Sequence, residues 1–181
     1  MNVQPSDPSG TVIETERLVL RLLTMSDLDA LAVLYSDPEV RRHFPDGVRT
    51  HEETRDELQW IIDVYYARYG YGLWATVAKE TGAFIGRCGL LPWEIEGKTE
   101  VEVAYLLDKT YWRRGLATEA AAAIVDYAFA TLPVDRLICM VDPENEASRG
   151  VAIKVGMTML WEDYVDEYGP AHVYAIQRSE V

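Results

Sequence analysis

Residues 111–118 read YWRRGLAT, and residues 119–132 continue EAAAAIVDYAFATL. The second segment predicts a helix. Leu116, Ala120, Ile124 and Tyr127 fall on one stripe and Ala117, Ala121, Val125 and Ala128 on the next, an apolar face wide enough to pack on a sheet and so pin the helix start. The first turn of a helix leaves backbone N–H groups without internal partners and carries partial positive charge. A pinned helix start therefore suits an anion. Gly115 admits close approach to the backbone, and Arg113 and Arg114 add cationic donors whose fork matches phosphate oxygens. The same residues also fit a solvated turn, and at this level both readings stay open. Neither G-x-x-x-x-G-K-S/T nor G-x-G-x-x-G occurs, and GRCG at 86–89 comes no nearer. This argues against a P-loop nucleotide hydrolase and a Rossmann dehydrogenase.

The chain around this segment has 181 residues, 49% hydrophobic and 26% charged, a composition and length for a single folded domain. No apolar run approaches the ~20 residues that span a bilayer, and the opening MNVQPSDPSG lacks the basic and apolar segments of a signal peptide. A cytoplasmic protein without a membrane partner is expected. The formal net charge is -13, which disfavours nucleic acid as a partner and leaves room for a cationic one. Cys88 and Cys139 lie in apolar stretches and read as buried, unpaired thiols. The spacing of His43, His51 and His172 gives no support to a metal site.

Residues 1–13 are polar and rich in Pro, Ser and Gly and read as a flexible tail, leaving 14–181 as one domain. A strand is expected at 17–23, then a helix through Leu28, Leu31 and Leu34 capped by Ser26 or Thr24. A second helix runs from about His51 to Tyr69 and stops at Gly70. Residues 71–95 read as two strands joined by a tight turn at 80–82, and 98–108 as a third. After the long helix come a strand at 136–141, a helix from about Asn145 to Val155 stopped by Gly156, and two strands around a turn at 168–170. The predicted order is β-αα-βββ-α-β-α-ββ, a mixed α/β layer structure.

VEVAYLLDKTYWRRGLATEA (101–120), DPENEASRGVAIKVGM (142–157) and ETERLVLRLLTMSDLDALAVLYSDPEV (14–40) together resemble the GNAT superfamily of acyl-CoA-dependent N-acyltransferases, more closely its RimJ/RimL-like branch. The resemblance implies the GNAT fold, a central, mostly antiparallel twisted sheet with helices on both faces. The family's loop, Q/R-x-x-G-x-G/A, falls on residues 112–117, with Trp112 in its first position. The resemblance implies that the amides of Arg113, Arg114, Gly115, Leu116, Ala117 and Thr118 hold the pyrophosphate of coenzyme A. It further implies that the strand at Tyr105, Leu106 and Leu107 pairs with the pantetheine arm, splaying from the strand at 136–141, and that Asn145 bonds the cofactor near its thiol.

The activity so implied is acetyl transfer from acetyl-CoA to a primary amine, a protein amino terminus or a small cationic amine, by direct attack on the thioester. The amine must lose a proton. Glu102 is the expected base, its alternative being a carboxylate satisfied by a neighbour or reaching solvent, as Glu100 is expected to do. The tyrosine that many GNAT enzymes use as acid falls on Ala152, so Ser148 is the expected acid, its alternative an ordinary hydroxyl in a first helical turn. Gly150, inside a short helix, makes room for the cofactor or is simply tolerated. Glu162, Asp163, Asp166 and Glu167, mixed with Trp161, Tyr164 and Tyr168, are expected to face a cationic acceptor or to be merely solvated. A non-catalytic acyl-CoA-binding regulatory module is the alternative function, no metal is called for, and a homodimer is left open.

Overall fold

The computed structural model describes residues 10–95, 97–166 and 169–180. In chain order the elements are β1 (Thr11–Glu14), β2 (Leu18–Leu22), α1 (Leu28–Ser36), α2 (His51–Trp60), α3 (Tyr66–Tyr69), β3 (Leu73–Ala78), β4 (Phe84–Ile95) and β5 (Lys98–Leu107). Then come α4 (Leu116–Thr131), β6 (Arg136–Val141), α5 (Glu146–Lys154), β7 (Thr158–Asp166) and β8 (Gly169–Gln177). The expected order is present with one strand more. Residues 11–13, read from composition as tail, belong to β1, which pairs antiparallel with β2 and buries Ile13. Four alternating residues are too few to outweigh polar neighbours in a sequence reading, yet a ready strand edge suffices to order them.

The eight strands form one sheet, ordered β1-β2-β3-β4-β5-β6-β8-β7 and antiparallel everywhere except between β5 and β6. Alternation along β5 sends its side chains to two cores. Val101, Val103 and Leu107 pack with Leu116, Ala120, Ile124 and Ala128 of α4 and Ala152 of α5. Ala104 and Leu106 pack with Leu31, Leu34 and Tyr35 of α1 and Leu58 of α2. Helices thus cover both faces. Among the described residues no helix is long and apolar enough to cross a membrane.

Local chemistry explains the ends of the elements. Ahead of α1 the Asp27 carboxylate accepts the Thr24 N–H at 2.9 Å and both Nη groups of Arg21 at 2.6 and 2.8 Å; Thr24, one of the two caps weighed from the sequence, caps the 3-10 turn Met25–Asp27 that leads into α1, and Asp27 itself stands at the N-cap of α1. Thr50 and Glu53 close a reciprocal cap on α2, with bonds of 3.2 and 2.8 Å. The helix expected over 51–69 is one winding interrupted by a π turn at Ile61–Tyr65, and Gly70 ends it at φ 75°. Cys88 and Cys139 are both buried and free. The turn expected at 168–170 lies partly outside the described residues, as do residues 1–9.

The opening in the sheet decides where a ligand fits. β4 and β5 pair in register from Gly86–Leu107 to Ile95–Lys98, whereas β5 and β6 share the single pairing Glu102–Ile138. β6 instead pairs with β8 along all its residues. The edge of β5 beyond Glu102 is therefore left open, and the two strands diverge as a V. Its closed end is braced by Glu100, which ion-pairs with Arg136. Glu100 does not reach solvent as expected from the sequence; it is buried, because a cation from the next strand meets it there.

Candidate active site

The segment 112–118 lies where β5 ends and α4 begins. Trp112 anchors it, its indole N–H donating to the Leu107 carbonyl at 2.8 Å while its rings pack against both cores. Arg113 and Gly115 both take left-handed backbone conformations, φ 60° and 76°, and Gly115 is the residue that caps α4. Glycine caps without a side chain, so no side-chain acceptor covers the first turn. The helical ladder begins with the Glu119 N–H on the Gly115 carbonyl at 3.0 Å, and the amides of Leu116, Ala117 and Thr118 precede it. Arg113 and Arg114 are exposed, Arg114 lying 5.2 Å from the centre of the Tyr111 ring. A cluster of N–H groups with two mobile cations beside it is chemistry for an anion of the phosphate type.

A clamp that the sequence did not disclose steadies this loop from the β1–β2 turn. Arg17 donates to the Arg114 carbonyl at 2.9 Å and to the Glu119 carboxylate at 2.6 Å. Glu119 also accepts the Thr15 hydroxyl at 2.6 Å and the Arg17 N–H at 2.9 Å. Partial burial opposes its charge, but these donors prevail and hold Glu119 below the usual carboxylate range.

Along the V, Tyr105 projects from β5 toward α5. Its phenol donates to the Ser148 carbonyl at 3.0 Å and lies 3.0 Å from the Ser148 hydroxyl and 3.5 Å from the Cys139 sulfur. Burial, with the nearby Cys139, pushes the phenol well above the ordinary tyrosine range and the Cys139 thiol up to about 12, so both stay protonated at neutral pH. Asn145 caps α5 through Oδ1, which accepts the Ser148 N–H at 3.0 Å, leaving its NH₂ group as a donor. Ala152, one turn beyond Ser148, is buried. A Cβ built on Gly150 would meet nothing within 4 Å, so no protein neighbour demands glycine there.

The start of α4, without a side-chain cap, thus stands at the open end of a splayed parallel pair, β5 and β6. The acetyltransferase (GNAT) domain family matches residues 17–158. The chain belongs to the GNAT acetyltransferase family. It is 34% identical over 135 residues to the uncharacterized N-acetyltransferase p20 of Bacillus licheniformis, covering 74% of this chain and 75% of that protein. Among solved structures it is similar to the acetyltransferase of Agrobacterium tumefaciens str. C58, with TM-score 0.78, 29% identity and 98% of each chain covered. RimL, a ribosomal-protein alpha-N-acetyltransferase solved in complex with coenzyme A, shares the fold at TM-score 0.76 and 20% identity, with 92% of this chain and 97% of that one covered. The chain is thus an acyltransferase.

On the opposite face of this GNAT enzyme's sheet, Glu102 is only 8% exposed. One carboxylate oxygen accepts the Trp93 indole N–H at 2.7 Å and the other the Met140 N–H at 3.3 Å. Both oxygens thus have neighbours as donors, and the carboxylate is buried rather than reaching solvent. Trp93, Met140, Trp161 and Tyr164 pack together beside it, with Trp161 and Tyr164 stacked 6.0 Å apart. The acceptor wall expected from the sequence divides accordingly: Trp161 and Tyr164 turn to this cluster, while Glu162 and Asp163 are exposed on the outer strand β7. Asp166 closes β7, and Glu167 and Tyr168 lie outside the described residues. Sequence reasoning missed the Tyr105 phenol, which it treated as backbone, and the Arg17 and Glu119 clamp; strand alternation pointing Tyr105 at the α5 face was the available signal for the first.

Proposed function

We propose that the chain is an acetyl-CoA-dependent N-acetyltransferase of the RimJ/RimL-like kind that acetylates a primary amine, a protein amino terminus or a small cationic amine, by direct attack on the thioester. The observation that carries this reading is the left-handed Gly115 at the start of α4, with uncapped amides ahead of the ladder, at the open end of the V between β5 and β6. The residues present fit a pantetheine diphosphate. Amides 113–118 with the Arg113 and Arg114 side chains would hold the diphosphate, the open edge of β5 at Tyr105, Leu106 and Leu107 would pair with the amide-bearing arm, and the Asn145 NH₂ would donate near the thiol end.

Acetyl-CoA bound there supplies an acyl group already activated as a thioester. A backbone N–H on the free edge of β5 polarises the acyl oxygen, a fixed dipole that needs no reorganisation. Ser148, oriented by Tyr105, supplies a proton on the side of the departing sulfur. Glu102, buried beside Met140 and Trp93, lies along the acceptor's path, and the overall charge of -13 favours a cationic acceptor. A cytoplasmic setting, where acetyl-CoA is available, goes with this reading.

Thermal-shift measurement with acetyl-CoA is the test. A ligand specific to the native state, at about 100 times its Kd, stabilises by ~2.7 kcal/mol. A rise in melting temperature is expected, followed by thiol release when amino-terminal peptides, polyamines, aminoglycosides and amino acids are supplied in turn. No shift would end the reading; a shift without thiol release for any amine would reduce the chain to a binding module.

A further inference from the structure

The connection between α1 and α2 has no regular structure over residues 38–50, yet it is held from several sides. Arg41, 2% exposed, donates to the Gly47 carbonyl at 2.7 Å and to Asp46 at 2.5 Å. Arg49 bridges Asp46 and Glu57 at 2.6 and 2.8 Å. Burial disfavours the charge on Asp46, but Arg41 and Arg49 overcome it and hold its carboxyl below the usual range. Tyr35 links the loop to the sheet, accepting the Arg87 Nε–H at 3.0 Å and donating to Glu57 at 2.9 Å. The Arg41 and Arg87 guanidinium groups lie 4.3 and 5.6 Å from the centre of the Phe44 ring. His43, between Arg41 and Phe44, is thereby set in a rigid frame.

His43 reaches across to the far arm of the V. Its Nδ1 is 3.6 Å from the Asp142 carboxylate, and its Nε2 accepts the Arg42 Nε–H at 3.0 Å. Asp142 is the first residue beyond β6, and the turn that positions it also positions the proposed cofactor residues: its carboxylate accepts the Glu144 N–H at 2.7 Å and its carbonyl the Asn145 N–H at 2.8 Å. Four residues on from the Glu102–Ile138 pairing, β5 and β6 reach Leu106 and Asp142. The imidazole thus stands beside the turn that follows β6, on the side of α1 and α2, where the neighbouring Phe44 packs with the cluster that includes Leu106 of β5. Ser148 and α5 lie on the opposite face.

We infer that His43, which stands beside Asp142, takes the proton released by the acceptor amine. This rests on the N-acetyl transfer proposed above. Histidine changes charge near neutral pH, as a base for an amine requires, whereas Glu102 is buried with both oxygens already accepting hydrogen bonds. As the neutral amine nitrogen bonds the acyl carbon and the C–S bond breaks, the nitrogen's proton passes to Nε2 of His43 and the sulfur takes a proton by way of Ser148. Solvent then resets both groups: His43 gives up a proton and the Ser148 and Tyr105 pair regains one. Arg42, exposed, donates to Nε2 in the free protein and swings aside for the acceptor. Asp142 from the β6–α5 turn and Arg42 from its own loop are the charged groups that face the ring among the described residues.

His43→Gln and His43→Ala test this. With the best amine of the panel, kcat is expected to fall ~100-fold or more, the acetyl-CoA thermal shift to persist, and added imidazole to restore part of the rate in His43→Ala. The acid limb of the pH–rate profile disappears in both variants and survives in Glu102→Gln. Retention of the rate and the acid limb in His43→Gln, or loss of the limb in Glu102→Gln alone, overturns the assignment. Absence of a shift in the parent protein sinks the acetyl-transfer reading and this assignment together, whereas a normal shift with an unaffected His43 variant sinks only this one.

Discussion

The two sides of the V are built differently. The proposed phosphate side is one continuous segment, residues 112–118, whose donors are main-chain groups and whose geometry follows from two left-handed residues and a helix start. The proposed acceptor side is assembled from side chains on β4, β5, β7, the β6–α5 turn and the α1–α2 loop: Trp93, Glu102, Trp161, Asp142 and His43. A backbone cradle tolerates side-chain change as long as the turn survives. A side-chain assembly depends on the register of every strand beneath it.

The change with the largest expected effect removes the support that both sides share. A Cβ on Gly86 would lie 2.2 Å from the Leu106 carbonyl oxygen, backbone against backbone, so Gly86→Ala should cost about 3 kcal/mol in denaturant unfolding and weaken acetyl-CoA binding and turnover together. If only one of them fell, the two sides would not share β4 and β5 as a common base.

Tyr105→Phe touches the cofactor's far end without touching the cradle. It removes the hydroxyl bonded to Ser148, for about 1 kcal/mol of stability and a fall of roughly tenfold in kcat, with KM for acetyl-CoA unchanged. A rise in KM would mean that the phenol shapes the cradle instead.

Gly115→Ala acts on the cradle alone. With φ at 76° and ordinary space around the built Cβ, the strain is about 1 kcal/mol. The acetyl-CoA shift should shrink by more than the stability does, because the new methyl group stands where a diphosphate would approach.

Acidification offers a milder probe of the cradle. Glu119 has its pKa lowered in the folded protein, so the stabilisation it brings is present above the ordinary glutamate value of about 4.3 and is lost as pH falls through the lower folded value. The acetyl-CoA shift should weaken over that window, and Glu119→Gln should flatten the dependence. Arg113→Ala has the smallest expected effect. Loss of this exposed cation should cost under about 1 kcal/mol of cofactor affinity, a difference that fades as salt is added.

Legibility in the sequence followed the same division. Each long apolar stripe turned up as the expected element, because a face of period two or 3.6 has few other ways to leave water: Leu116, Ala120 and Ile124 form the α4 face, and 136–141 became β6 residue for residue. The segment 11–13 was misjudged since its order comes from a neighbour's open edge. Glu100 was sent to solvent because nothing nearby in sequence announces Arg136. Tyr105 was counted for its backbone, its phenol being assigned by a contact with Ser148 more than forty positions away. His43 and Asp142 are further apart still, and neither carries a local signal.

From the amino-acid order alone came the element sequence, a glycine ahead of a pinned helix and, through the resemblance, the family, since turn residues and apolar periodicity act over a few residues. Only the folded chain decided that β6 leaves β5 after one pairing, that Glu102 is buried under Trp93 and Met140, and that His43 meets Asp142. Those outcomes depend on which strand edges compete for pairing and which charges burial forces together, and such contests are settled between segments distant in the chain.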